Sequence, residues 1–167
     1  MITKTSLLAT RALLCLAKDQ QGIATPPRSI ALELGESPAY MAKVLRSLVK
    51  AGILRAEHGS KGGVLLNRRA DEITLLAVVE ACQGAIVGSY CQDIPDTETT
   101  CAFHRAAAEL RETIKNVLSR WNLEHLAKAP GRTKCLPDGK QCVMAAFPLS
   151  LGTASEARPA RKRNAVK

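Results

Sequence analysis

Aromatic side chains are nearly absent, with one Trp, two Tyr and two Phe making up 3% of 167 residues. An aromatic-rich β-sandwich is therefore disfavoured. The 46% hydrophobic share, rich in Leu, Val, Ile and Ala, points to packed helices. No apolar run reaches the roughly eighteen residues that a membrane span needs. Lys4, Arg11 and Lys18 break up the N-terminal apolar pattern and leave no clean secretion segment. The expectation is a cytoplasmic protein with no membrane partner. Acidic residues are also in short supply, 15 against 24 Lys and Arg, for a net charge of +9.

That charge is unevenly spread. Residues 1–69 carry +7, residues 70–127 carry −5 and residues 128–167 carry +7. A basic head and tail around an acidic middle suit polyanion binding at the head and self-association in the middle. Six cysteines in a cytoplasmic setting argue against a disulfide framework, so each is read on its own.

The chain opens with a helix over residues 5–18, burying Leu7, Leu8, Leu13, Leu14 and Leu16. Thr25–Pro26 looks like a capped helix start, and the short helix after it buries Ile30 and Leu34 before Gly35. Ser37–Pro38 repeats the device and opens a longer helix to about Ala51, which Gly52 ends. Two short helices around a glycine-containing turn make a helix-turn-helix candidate. In the second, Met41, Val44, Leu45, Leu48 and Val49 form one apolar stripe. Tyr40, Lys43, Ser47 and Lys50 lie opposite, with Arg46 beside them. By itself this polar face is equally well an ordinary solvated one.

The next segment changes the balance. Residues 53–57 and 64–67 are candidate strands joined by Gly59-Ser60-Lys61-Gly62-Gly63, a tight basic hairpin tip. A helix-turn-helix followed by such a hairpin is the order of a winged helix, in which a recognition helix enters the major groove and the wing tip approaches phosphates or the minor groove. The candidate DNA contacts are Ser37, Tyr40, Lys43, Arg46, Ser47, Lys50, Ser60, Lys61 and Gly62.

Thr74 caps a further helix over residues 75–83, in which Leu75, Leu76, Val78, Val79 and Cys82 look buried and which Gly84 closes. A polar, acidic loop at residues 89–100 precedes a long helix from about Cys101 to Trp121. Its Phe103, Ala107, Leu110, Ile114, Val117 and Trp121 are spaced alternately four and three, the pattern of a dimer seam. Packing of the same stripe against its own domain is the alternative. The fold expected is mainly α with a small β-wing. It divides into a winged helix-turn-helix domain (residues 1–88), a cysteine-containing loop (89–101), a dimerisation helix (102–127) and a basic, disordered tail (128–167).

The run from Tyr40 to Leu54, the Gly59–Gly63 hairpin and Glu72-Ile-Thr-Leu-Leu-Ala-Val-Val-Glu-Ala together resemble the Rrf-two family of winged-helix transcriptional regulators, over about residues 1–127. The resemblance implies a homodimer on double-stranded DNA at a pseudo-palindromic operator; the expectation for this chain is a repressor, although the sequence does not fix the direction of regulation. It also implies sensing of iron, redox state or nitric oxide through an iron–sulfur cluster held by three loop cysteines. Cys91 matches the first of these, Cys101 the last, and His104 the histidine of the Cys-x-x-His ending; the middle cysteine is absent. Cys101 and His104, three apart at a helix start, can face one site. Imidazole or carboxylate can replace thiolate on iron. A cluster, zinc, a thiol switch or no cofactor all remain open there. Two further departures are Val64, where the family usually has an aromatic residue, and the lack of an early arginine.

Cys15 and Cys82 fall in apolar stripes and read as core. Cys135 and Cys142 flank a turn and could form a redox pair or join Cys101 and His104. A protein-interaction module that has lost DNA binding is a competing reading. An enzyme using a Cys–His pair is disfavoured, since no oxyanion loop or paired carboxylates stand beside it.

Overall fold

The computed structural model describes residues 2–18, 23–59, 62–86 and 101–128. Ser60, Lys61, Cys91, Cys135, Cys142 and the basic tail lie outside the described residues. Helix α1 spans Lys4–Lys18. Its first turn is held reciprocally: Ser6 N–H donates to Thr3 Oγ1 (3.2 Å) while Thr3 N–H donates to Ser6 Oγ (3.1 Å). This is the capping-box arrangement with serine in place of the usual glutamate.

Helix α2 covers Pro27–Leu34 and begins differently from the sequence expectation. Pro26, not Thr25, is the N-cap, and no side chain caps the helix. Thr25 precedes a proline, which drives it to extended backbone. There it forms an antiparallel bridge with Val64, giving one hydrogen bond in each direction at 2.9 and 3.0 Å. The supposed cap is therefore a one-residue third strand at the edge of the wing sheet. Gly35 ends α2 in the left-handed conformation, as expected.

Helix α3, Pro38–Lys50, starts at Ser37, whose side chain accepts from Tyr40 N–H. Met41, Val44, Leu45 and Leu48 are buried; Val49, at the edge of the stripe, is half-buried. Together with Leu13, Ile30, Ile53 and Leu54 they form the core on which α1, α2 and α3 converge. Each such leucine or isoleucine contributes about 1.5–3 kcal/mol by leaving water.

Strands β1 (Leu54–Glu57) and β2 (Gly63–Leu66) pair antiparallel, Leu54 opposite Leu66 and Glu57 opposite Gly63. Gly63 sits where a Cβ would lie 2.5 Å from the Thr25 carbonyl carbon. Only glycine lets the Thr25 segment come so close.

Helix α4 is Leu75–Gln83, capped by the Thr74 side chain on Ala77 N–H. Val78 and Val79 are buried, whereas Leu75, Leu76 and Cys82 are only half-buried. An apolar stripe records which face can be covered, not how completely the chain's own elements cover it. Helix α5 spans Ala102–Arg120 and α6 spans Leu123–Lys128. Trp121 lies just beyond α5, in extended conformation. The reason is a tie between the two helix ends: Leu75 N–H donates to Trp121 C=O (2.8 Å) and Leu123 N–H to Ile73 C=O (2.9 Å). No described helix is long and apolar enough to cross a membrane.

Candidate nucleic-acid interface

The polar side of α3 is where the sequence placed it. Lys43, Arg46 and Lys50 are exposed opposite the buried Met41–Leu48 face. Among the described residues none of the three makes an ion pair, so their charge is available to an anion. Arg69 is different. It grips Asp71 through Nε and Nη2 at 3.0 and 3.1 Å, and its hydrogen bonds hold the Asp71 carboxyl below the usual carboxylate range. Arg55 on β1 meets Glu57 at 3.5 Å, an exposed pair worth little.

The other predicted contacts divide. Ser37 is exposed, but its Oγ is engaged in capping. Ser47 is half-buried and its hydroxyl turns back to Lys43 C=O at 3.5 Å. Tyr40 is half-buried, and its hydroxyl shares a 2.9 Å hydrogen bond with Thr5 Oγ1 of α1. Gly62 is half-buried in the hairpin turn, its N–H donating to Gly59 C=O at 3.0 Å. His58 is exposed at the wing base.

Two residues that the sequence reading passed over fix the wing to the helix. Asn67 Nδ2 donates to Gly52 C=O (3.1 Å) and Arg68 Nη2 to Ala51 C=O (3.5 Å). Both satisfy carbonyls at the α3 C-terminus, where cations and donors are favoured. The polar Asn67-Arg68-Arg69 run after β2 was the available signal.

At the other end of the chain, Cys101 is the N-cap of α5, exposed and without a side-chain cap hydrogen bond. His104 is half-buried in the first turn that follows. Among the described residues no three Cys, His, Asp or Glu side chains converge as a metal site; Cys91, the first cysteine of the expected set, is not one of them. Cys15 is buried, and burial, reinforced by Glu33, pushes its thiol up to about 12. Burial raises the half-buried Cys82 thiol too. Cys101 is thus the one exposed thiol among the described cysteines.

The stripe along α5 is largely uncovered. Phe103 is 68% exposed, Leu110 57% and Val117 42%, while Leu118 alone on this helix is buried. Ala107 and Ile114 are half-buried. Ile114 and Val117 also line an apolar groove of about 430 Å³ with Ile2, Val79 and Ile86. Trp121, expected on the same seam, stands off the helix end and packs edge-on against His125, ring centres 6.0 Å apart.

Comparison with known proteins agrees with this architecture. The Rrf2 family model, described as iron-dependent transcriptional regulator, matches residues 2–129. The HTH-type transcriptional regulator YwgB of Bacillus subtilis is 29% identical over 129 residues, covering 74% of this chain and 81% of its own. IscR of Photorhabdus laumondii is 28% identical over 127 residues, covering 75% and 77%. Among solved structures, CymR, the global cysteine regulator of B. subtilis, superposes with a TM-score of 0.61 at 24% identity, over 77% of this chain and 96% of that one. T. potens IscR does so at 0.59 and 21%, over 77% and 86%. At these identities the structural likeness concerns the fold. The chain is a transcriptional regulator and not an enzyme, and it belongs to the Rrf2 family of winged-helix, DNA-binding proteins.

Proposed function

We propose that the protein is a repressor that binds a pseudo-palindromic operator as a homodimer. Helix α3 lies in the major groove, with Lys43 and Arg46 at its floor and Lys50 toward the backbone. The wing, with Ser60, Lys61 and Gly62 at its tip, lies along the phosphates. The observation that carries this reading is the row of exposed cations on α3, without an ion pair among the described residues, opposite its core face and braced by Asn67 and Arg68. The exposed Phe103, Leu110 and Val117, with Ile114 beside them, supply the dimer contact: four large apolar groups at seam spacing are costly to leave in water. The working parts on this reading are a winged domain to residue 88, a loop to 101 and a dimerisation segment to 127, in which α5 supplies the seam and α6 follows it. Repression is proposed for an operator that overlaps the promoter, where a seated dimer would exclude polymerase.

The test is binding of labelled duplex DNA across a salt series. Affinity that falls steeply with salt, and drops in Lys43→Ala and Arg46→Ala without loss of folding, supports the interface. Salt-insensitive or absent binding would leave a protein-interaction module as the better account.

We further propose a cofactor at the head of α5. The residues to hold it are Cys91, Cys101 and His104, and the described pair fits: an exposed thiol at a helix N-terminus and an imidazole one turn on. An iron–sulfur cluster there would supply a group whose assembly or loss reports iron and oxidant levels. Cys101 and His104 stand at the head of α5, so their ligation would bear on how that helix is set and thereby on the separation of the two α3 helices, which must match successive major grooves about 34 Å apart. Iron and sulfide analysis after anaerobic purification tests this. Absence of both after reconstitution would refute the cluster and leave the DNA-binding reading standing.

A further inference from the structure

The helix that faces DNA is held at both ends by directional contacts, and the N-terminal one crosses the whole domain. Tyr40, in the first turn of α3, meets Thr5, in the first turn of α1, at 2.9 Å between hydroxyl oxygens. Thr5 stands on a stiff support. The Thr3–Ser6 pair is closed by three hydrogen bonds, and Ser6, fully buried, also donates to Gln83 Oε1 at the end of α4 (3.4 Å). Thr10 Oγ1 in turn donates to Ser6 C=O at 2.9 Å.

Apolar packing of Met41, Val44, Leu45 and Leu48 decides which face of α3 points inward. Such packing favours particular crossing angles but with a scatter of about 15–20°, so directional contacts are needed to fix the tilt more finely. The C-terminal end is fixed by Asn67 and Arg68 on the Gly52 and Ala51 carbonyls. The N-terminal end has the Tyr40–Thr5 bond. With α3 about 20 Å long, a small rotation about its C-terminus displaces Lys43 and Arg46 from the bases they address. Recognition helices read base edges mostly through their N-terminal residues, which makes this the sensitive end.

We propose that Tyr40 is a positioning residue: through its hydroxyl on Thr5 it sets the tilt of α3 in the major groove, and it does not itself contact DNA. This rests on the reading of α3 as the DNA-facing helix, and it reassigns one residue of that face.

The test uses Tyr40→Phe, Thr5→Val, the double variant and Thr5→Ser. Each full-length protein is titrated into a labelled duplex selected by the wild type from a random-sequence pool, and into a scrambled duplex of equal length. Loss of one hydrogen bond should weaken binding to the selected duplex about three- to tenfold in each single variant. Binding to the scrambled duplex should hold, because the phosphate-directed cations are intact. The double variant should bind no worse than the weaker single, since both remove the same bond. Thr5→Ser, which keeps the hydroxyl, should bind like wild type, which separates this role from a general effect on folding. If Tyr40→Phe is weakened and Thr5→Val is not, Tyr40 contacts DNA directly and the proposal fails. If both singles bind like wild type, the bond has no bearing on recognition and the proposal also fails. If the wild type selects no duplex at all, the DNA-facing reading of α3 falls first and the positioning role with it.

Discussion

Replacing Gly63 by alanine should detach the Thr25 segment from the wing sheet. The new methyl carbon would lie 2.5 Å from the Thr25 carbonyl carbon, 2.6 Å from its oxygen and 2.9 Å from Pro26 nitrogen. All three are backbone atoms, so no side-chain rotation relieves the clash, and the Thr25 segment must withdraw from β2. That breaks the two Thr25–Val64 hydrogen bonds at 2.9 and 3.0 Å. At about 0.5–1.5 kcal/mol each, their loss costs roughly 1–3 kcal/mol, and the displaced Pro26 disturbs the start of α2 as well. Urea unfolding of wild type and Gly63→Ala measures the stability, and amide hydrogen exchange at Thr25 and Val64 reports the bridge itself. Gly35→Ala is the control. It too carries a conformational cost, at φ 69°, but meets nothing within 4 Å, so the Thr25 and Val64 amides should stay protected. An unchanged midpoint in Gly63→Ala, with both amides still slow to exchange, would refute the close-approach argument.

Other substitutions probe the remaining parts. Leu45→Ala empties a site 1% exposed at the centre of the α3 face and should cost about 2–5 kcal/mol by denaturant unfolding; under 1 kcal/mol would mean the stripe is not core. Leu110→Glu places a charge on the exposed α5 seam and should shift the mass found by sedimentation equilibrium toward the monomer, with the fold kept by circular dichroism. An unchanged mass would remove this stripe as the dimer contact. Cys15 gives a pH signature. Its thiol rises from an ordinary 9.0 to about 12 in the fold, so above pH 9 the unfolded chain releases a proton that the native one retains. Stability should therefore fall by about 1.4 kcal/mol per unit between pH 9 and 12, a slope that Cys15→Ala would lessen. Equal slopes in the two proteins would show that Cys15 is not buried as described.

Much of the frame was legible because its causes are local. Ser37, Thr74 and Gly35 act on their own turns, and the Met41–Leu48 spacing declares a buried face whatever it packs against. The α5 helix emerged within a residue of its expected limits, with Trp121 just outside because its carbonyl serves Leu75 across the domain. What escaped was long-range. Thr25 has the look of a cap until Val64 is beside it, and the Tyr40 hydroxyl belongs to Thr5, 35 residues away. Spacing alone placed Tyr40 on the polar face with Lys43; it could not tell a group turned to solvent from one tied back to α1.

Hydroxyl-radical footprinting of the wild-type protein on its selected duplex tests the central claim most directly. Two symmetric patches of protected sugar backbone separated by about one helical turn, 10–10.5 base pairs, on one face of the DNA are the expected pattern, lost together in Arg46→Ala. A single protected patch, or a footprint indifferent to Arg46, would contradict a paired recognition helix as the means by which this protein holds DNA.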